Sequence, residues 1–313
     1  MSRCTDVMKR RTFLAGSAAL AGALGLQSRH RLQARAPDFQ PVGLQLYTVI
    51  PQLERDFEGT LAAVSRIGYT EVETMGTFGR DPAFVREALG RYGLTSPSQH
   101  IVSPALYDIV KRSLMGELSG PETVRLLTIG LATGEMAKLV AEAIETAKAL
   151  GQQYVVWPAC WKPQIATREA QLQFADALNR AGRACAEAGL KFGFHNHGEE
   201  LVAVDGVVPY DVLLENTDPR QVLLEMDVYW MHWGKKSPVE YLRRYGSRYA
   251  QLHLKDATSD GKFAAMGAGV IDFPSILAAA RKAGARHFYV EQNSPTDALG
   301  AIATSFSYLH SHL

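Results

Sequence analysis

The chain has 313 residues and three cysteines, and its 33 basic and 32 acidic side chains nearly cancel. Residues 1–36 hold seven of the basic groups and one of the acidic groups, so the rest carries 26 basic and 31 acidic groups, a net charge of −5 with histidine neutral. A chain with this balance and no cluster of Lys and Arg is a poor binder of nucleic acid. The 277 residues after this segment can build one large core, so a single domain is expected.

The first 36 residues have the order of an export signal. Lys9-Arg10-Arg11-Thr12-Phe13-Leu14 is a twin-arginine pattern, an uncharged Ala/Gly/Leu-rich stretch follows over residues 15–26, and Ala34-Arg35-Ala36 is a cleavage signal. The apolar stretch is too short for a permanent membrane span. We therefore predict a twin-arginine signal peptide over residues 1–36, a mature chain over residues 37–313 and a periplasmic location.

The cysteines predict no disulfide. Cys4 leaves with the signal peptide, Cys160 is expected in a loop and Cys185 near the far end of the next helix. At ~1.5 Å per helical residue the last two lie about 25 Å apart, whereas a disulfide needs Cα atoms within about 7 Å. Two free thiols are expected.

From residue 41 on, short apolar runs alternate with longer amphipathic ones, which is typical of a parallel sheet covered by helices. The predicted strands are residues 42–47, 70–73, 95–100, 154–157, 191–196, 222–227, 249–254 and 286–291. The predicted helices are residues 57–66, 83–92, 135–150, 168–188, 210–215, 238–245, 273–283 and 296–309. Several helices end in a glycine, which reaches the left-handed conformation at little steric cost. Eight such units predict a closed (β/α)₈ TIM barrel.

One connection is long for a barrel of this kind. Residues 103–134 follow the third strand and contain one predicted short helix near residues 106–114. Long loops on the upper face of a barrel form lids over a site or are ordinary surface insertions. Both readings stay open.

Three of the predicted strands end on residues that bind metals. Asp227, His253 and Glu291 close the sixth, seventh and eighth apolar runs. The carboxyl ends of barrel strands surround one mouth, where the chemistry of such barrels takes place. Two carboxylates and an imidazole converging there suit a divalent ion with open positions for a substrate.

Six segments together resemble one family. They are Gly43-Leu44-Gln45-Leu46-Tyr47, Gly68-Tyr69-Thr70-Glu71-Val72-Glu73, Phe194-His195-Asn196-His197-Gly198-Glu199-Glu200, Glu225-Met226-Asp227-Val228-Tyr229-Trp230, Leu252-His253-Leu254-Lys255-Asp256 and Gly267-Ala268-Gly269-Val270-Ile271-Asp272-Phe273. They are similar to the sugar phosphate isomerase/epimerase family of xylose-isomerase-like TIM barrels. The resemblance implies one Mn²⁺, Mg²⁺, Co²⁺ or Zn²⁺ ion, with Asp227, His253 and Glu291 at ligand positions.

The chain departs from that family on the fifth strand. Relatives of the ketose-epimerase branch have a glutamate where this chain has His195-Asn196-His197, and two glutamates exchange the proton of the sugar; only Glu291 of that pair is present here. Side chains alternate along a strand, so His195 and His197 point the same way. We expect His195 as the fourth ligand and His197 as a general base or substrate contact. Asn196 is the ligand if the register shifts by one, and Glu200 could reorient a histidine or supply the missing carboxylate.

Further candidates lie near the same mouth. Glu73 and His100 end the second and third strands and are expected to face the substrate. Lys255 shares the inward face of His253 and could neutralise an oxyanion. Tryptophan rings suit the C–H faces of a sugar, and the candidates are Trp157, Trp161, Trp230 and Trp233. Gly267-Ala268-Gly269 lacks a dinucleotide-binding pattern and is interpreted as a loop.

These features favour a metal-dependent isomerase or epimerase of a free sugar or polyol that acts through an enediolate, with catalytic roles for His197, Glu291, Lys255 and Glu200. Export argues against a phosphorylated cytoplasmic substrate. The alternatives are a lyase or hydrolase of keto-glycosides on the same site and a non-catalytic sugar-binding barrel. A phosphodiesterase similar to endonuclease IV is disfavoured by the acidic mature chain. The expected partner is a small carbohydrate, and assembly into a homo-oligomer is left open.

Overall fold

The structure, a computed structural model, describes residues 42–312. The predicted signal peptide over residues 1–36 lies outside the described residues, as do the first residues of the predicted mature chain. Within residues 42–312, no helix is long and apolar enough to cross a membrane.

Eight parallel strands close into a barrel, each paired with its neighbours in chain order and the last paired with the first. They are β1 (Val42–Gln45), β2 (Glu71–Met75), β3 (Thr95–His100), β4 (Tyr154–Trp157), β5 (Lys191–His195), β6 (Val222–Asp227), β7 (Tyr249–Leu254) and β10 (His287–Val290). The antiparallel pair β8 (Asp256–Ala257) and β9 (Phe263–Ala264) lies in the connection after β7. The predicted (β/α)₈ TIM barrel, a single domain, is confirmed.

Helices follow the strands and cover the barrel. They are α1 (Ile50–Arg55), α2 (Phe57–Ile67), α3 (Pro82–Arg91), α4 (Pro104–Leu114), α5 (Gly120–Gly130), α6 (Met136–Leu150), α7 (Lys162–Ile165), α8 (Arg168–Glu187), α9 (Pro209–Asn216), α10 (Val228–Trp233), α11 (Pro238–Tyr245), α12 (Phe273–Ala283) and α13 (Ala298–His312). Their inner faces pack on the outward strand residues in one continuous apolar core. Cys160 and Cys185 are buried and free, as predicted.

The predicted strand bounds agree with the structure for β3, β4, β6 and β7 and differ at several ends. β1 stops at Gln45 because Leu46–Val49 turns into a 3₁₀ helix. β2 runs over Glu71–Met75, one residue later at its start and two later at its end than predicted. β10 stops at Val290, so Glu291 is the first residue beyond the strand.

The long connection after β3 is a pair of helices. The predicted short helix is α4. The second helix, α5, was not predicted, because the glycines in this segment indicated a loop. Gly120 and Gly130 are instead the first and last residues of α5, where they do not interrupt the hydrogen-bond ladder. Ser119 caps this helix by accepting a hydrogen bond from the amide of Glu122 at 3.3 Å.

Asp256 organises the loop between β9 and α12. Its buried carboxylate accepts hydrogen bonds from the backbone amides of Ala257, Gly267, Gly269 and Ile271 at 2.8–3.2 Å. A Cβ at Gly267 would overlap the ring of Tyr308, so the close approach of the loop needs glycine. The interpretation of Gly267-Ala268-Gly269 as a loop is confirmed.

We expect Asp256→Ala to lower the free energy of unfolding by about 2–4 kcal/mol, because several amides lose a charged acceptor at once. Amide hydrogen exchange at Gly267, Gly269 and Ile271 should accelerate. Asp260→Ala is the control, because Asp260 bonds only to exposed neighbours. Unchanged exchange at these three amides in Asp256→Ala would contradict the assignment.

Candidate functional site

Four side chains from the second half of the barrel meet at its carboxyl mouth. His195 ends β5, Asp227 ends β6, His253 lies in β7 and Glu291 follows β10. All four are buried, and one ligand atom from each lies within 4.8 Å of the others. The strand register brings them together, because Asp227 pairs with His253 across β6 and β7. The structure thus gathers the residues that the sequence predicts as metal ligands.

The two imidazoles are each oriented by a carboxylate from deeper in the barrel. His195 Nδ1 lies 3.0 Å from Glu225 Oε2, and His253 Nε2 lies 2.7 Å from Glu73 Oε2. With Nδ1 donating to Glu225, Nε2 of His195 is free of a proton, whereas His253 has a carboxylate at each ring nitrogen and carries a proton on both. His195 Nε2 then faces Asp227 Oδ2 at 3.8 Å, and His253 Nδ1 faces Glu291 Oε2 at 2.6 Å. Outer carboxylates commonly fix metal-binding histidines in this way.

Glu225 is the residue that the sequence analysis missed. Its Oε2 lies 2.7 Å from His100 Nε2 and 3.3 Å from His253 Nε2, and its Oε1 accepts a hydrogen bond from Gln251 at 2.6 Å. Its position two residues before Asp227 places both carboxylates on the inner face of β6. The alternation of side chains along β6 is the sequence signal that could have identified Glu225.

A second group of possible metal ligands lies deeper in the barrel. It consists of His100, His195, Glu225 and His253.

The site carries more negative than positive formal charge. Lys255 Nζ lies 2.9 Å from Asp227 Oδ2 and 3.0 Å from Glu291 Oε1, and two further buried carboxylates, Glu73 and Glu225, lie deeper in the barrel. Burial opposes ionisation, yet Lys255 and His253 hold the pKa of Glu291 well below its usual range. Burial likewise opposes the charged form of His253, but Glu225 and Glu291 raise the pKa of its imidazole. A proton on His253 therefore offsets part of this charge.

The donor set fits a divalent ion. Asp227 Oδ2 is buried, and apart from the Lys255 ammonium at 2.9 Å it has no hydrogen-bond donor among the described residues. Burial and the neighbouring His253 lower the pKa of His195 to about 4, so its imidazole is neutral, the form that coordinates metals. Two imidazole nitrogens and two carboxylates suit Mn²⁺, Mg²⁺, Co²⁺ or Zn²⁺. His195, Asp227, His253 and Glu291 are the residues that would hold it.

Asn196, the middle residue of the His195-Asn196-His197 turn, forms hydrogen bonds to the next strand. Asn196 Oδ1 accepts a hydrogen bond from the Asp227 amide at 3.1 Å, and its Nδ2 donates to the Asp227 carbonyl at 3.4 Å. These bonds join the end of β5 to the end of β6. They occupy both polar atoms of the Asn196 side chain.

His197 faces the cavity above the metal-binding set. Its ring centroid lies 4.9 Å from that of His195 and 5.5 Å from that of Trp230. Its Nδ1 is buried without a hydrogen-bond partner. Burial, His195 and Lys255 lower the pKa of His197 well below its usual value, so this imidazole is neutral near pH 7.

Glu200 supports the turn from behind. Its Oε1 accepts a hydrogen bond from the His197 amide at 2.7 Å, and the thiol of Cys160 lies beside the same carboxyl. Burial raises the pKa of Glu200 to about 7. Glu200 is fully buried and does not line the cavity.

A cavity of about 510 Å³ lies over the site. His100, His195, His197 and Glu291 line it, as do Trp161, Trp230 and Trp233. The rings of Trp230 and Trp233 pack on Gly198, where a Cβ would overlap both of them. Two other expected substrate contacts lie elsewhere, because Trp157 and Glu73 are fully buried and outside the cavity lining.

Comparison with known proteins shows where this barrel belongs. The inosose dehydratase of Geobacillus kaustophilus (strain HTA426) is 27% identical over 252 residues, which cover 70% of this chain and 73% of that protein. A sugar phosphate isomerase/epimerase from Parabacteroides distasonis has a similar structure, with a TM-score of 0.71 at 24% identity over 88% of this chain and 96% of that one. The 3-keto-D-glucoside 4-epimerase from E. coli has a TM-score of 0.62 at 15% identity over 87% of this chain and 100% of that one. The family model described as xylose isomerase-like TIM barrel matches residues 61–312, and the chain belongs to that family.

Proposed function

We propose that this protein is a metal-dependent enzyme that enolises an unphosphorylated keto sugar or keto-polyol and acts as an isomerase or epimerase. The observation that carries the proposal is the convergence of His195, Asp227, His253 and Glu291 under a cavity that His197 also lines. A divalent ion held there would acidify the C–H bond beside the substrate carbonyl and stabilise the enediolate.

Four residues of the chain would carry out proton transfer, charge stabilisation and positioning. His197 is neutral and has an unpartnered nitrogen, so it can accept the proton from carbon as a general base. Glu291 lines the same cavity and is the second group that can move this proton. Lys255 lies 3.0 Å from Glu291 and contributes positive charge beside the developing oxyanion. Glu200 holds the backbone of His197 in place.

Elimination is the second candidate outcome. It begins with the same removal of a proton beside the carbonyl and then expels the group on the next carbon. The similarity to inosose dehydratase supports it, and so does the histidine that replaces one glutamate of the epimerase pair. Proton NMR of a ketose and of a 3-keto-glucoside in D₂O separates the outcomes. Exchange or epimerisation supports the first, and loss of the β-substituent supports the second.

Replacing Glu291 by Gln should remove most of the bound divalent ion while the barrel stays folded, because one charged ligand is lost above the packed core. Elemental analysis of the purified variant, together with its circular dichroism spectrum, checks this. Glu187→Gln on the exposed face of α8 is the control. Full metal occupancy in Glu291→Gln would refute the ligand assignment.

The two histidines of the turn should behave differently. His197→Ala should keep the ion and slow deuterium exchange into substrate by roughly 10²–10⁴-fold, the usual contribution of a general base. His195→Ala should lose ion and activity together. Because burial, His195 and Lys255 lower the pKa of His197, the acid limb of the parent's pH–rate curve should lie well below the ordinary imidazole value of about 6.5. If both variants keep metal and most of their activity, the turn is structural.

We also propose export by the twin-arginine route, which carries folded proteins and therefore suits a barrel that binds its ion before transport and has no disulfide among its described residues. Changing Arg10 and Arg11 to Lys should leave the protein in the cytoplasm. Fractionation of cells that express both forms measures this. Equal recovery from the periplasm would show that the segment is not a twin-arginine signal.

A further inference from the structure

The cavity has a polar floor and an apolar wall. Besides the histidines and Glu291, its floor has the polar side chains of Gln45, Tyr47 and Asn293 near the strand ends. The wall is apolar, and it is built by the helix pair α4 and α5 and by three tryptophans; its main members are Leu106, Val110, Leu127, Trp161, Trp230 and Trp233. A polyol ring would use the floor but would leave the wall in contact with water.

The helix pair gives this wall a definite structure. α4 packs on the core through Leu106, Tyr107 and Val110, whereas α5 has no fully buried residue. α5 approaches α4 closely, because a Cβ at Gly130 would overlap Leu106. Thr123 on α5 also donates a hydrogen bond to Ser113 at 2.9 Å. Val124 and Leu127 of α5 therefore line the cavity without being fully buried by the protein itself.

The size of the cavity agrees with a larger ligand. A volume of about 510 Å³ lies in the range of pockets that hold drug-sized molecules, which are larger than one sugar ring. Trp230 and Trp233 meet edge to face with ring centroids 5.9 Å apart, a common arrangement of aromatic pairs. Flat rings of this kind offer a surface that matches an aromatic group.

We propose that the substrate is a keto-glycoside with a flat apolar aglycone, whose sugar ring lies on the polar floor and whose aglycone packs between the helix pair and the tryptophans. This inference rests on the proposed function for the identity of the sugar end. The aglycone end rests on the cavity wall alone. Water released from the wall would supply the binding energy.

Calorimetric titration of the metal-loaded protein with phenyl β-D-glucoside and with methyl β-D-glucoside tests the wall without turnover. The two ligands share the sugar and differ in the aglycone. The phenyl glucoside should bind about 10- to 100-fold more tightly, with a negative heat-capacity change, because the ring buries apolar surface. Equal affinities would overturn the proposal.

A pair of variants on α5 assigns the effect to the wall. Leu127→Ser should reduce the preference for the phenyl glucoside by about 5-fold or more and leave the affinity for the methyl glucoside unchanged. Ile129→Ser is the matched control, because Ile129 lies on the same helix, is 61% exposed and does not line the cavity. Leu127→Met, which keeps the apolar volume, should retain the preference. A preference unchanged in folded Leu127→Ser would overturn the proposal.

The two proposals can fail separately. A preference for the phenyl glucoside in a protein that shows no deuterium exchange with any keto-sugar would leave the wall proposal intact and contradict the proposed function. Exchange without any preference would contradict the wall proposal alone.

Discussion

The site depends on the hydrogen bonds that Glu225 and Glu73 accept from the inward-facing nitrogens of His195 and His253. An imidazole has two nitrogens, and only the one without a proton can coordinate an ion. By accepting from one nitrogen of each ring, the inner carboxylates direct the other toward Asp227 and Glu291. His195 is thereby prepared before any ion binds, whereas His253 would release its Nδ1 proton as the ion binds.

This arrangement requires a polar layer inside a barrel that would otherwise be packed with apolar side chains. Buried carboxylates cost free energy unless they are hydrogen-bonded. Gln45 and Ser98 donate to Glu73 at 2.7 and 2.5 Å, and Gln251 donates to Glu225 at 2.6 Å. The inner carboxylates are therefore satisfied by amide and hydroxyl donors together with the imidazoles of His100, His195 and His253.

The barrel and the four candidate ligands could be predicted because their signals are local. An apolar run that ends in Asp, His or Glu marks a strand end, and a glycine after an amphipathic run marks the end of a helix. The inner carboxylates could not be assigned in this way, since Glu73 and His253 are 180 residues apart and meet only when the barrel closes. Trp157 was wrongly expected to contact the substrate. The sequence predicts that it ends a strand, but it does not reveal that its side chain is fully buried. The apolar wall of the cavity was not predicted because α5 was not predicted. The glycines at the two ends of α5 indicated a loop.

The central claim is that an ion binds to the outer set of Asp227 and Glu291 with His195 and His253. The competing position is the inner group around Glu225 and His100, which shares both histidines. Anomalous diffraction from crystals of the Mn²⁺-loaded protein locates the ion directly. The account predicts a single peak within bonding distance of Asp227 Oδ2 and Glu291. A peak centred between His100 and Glu225, with none beside Asp227, would contradict it.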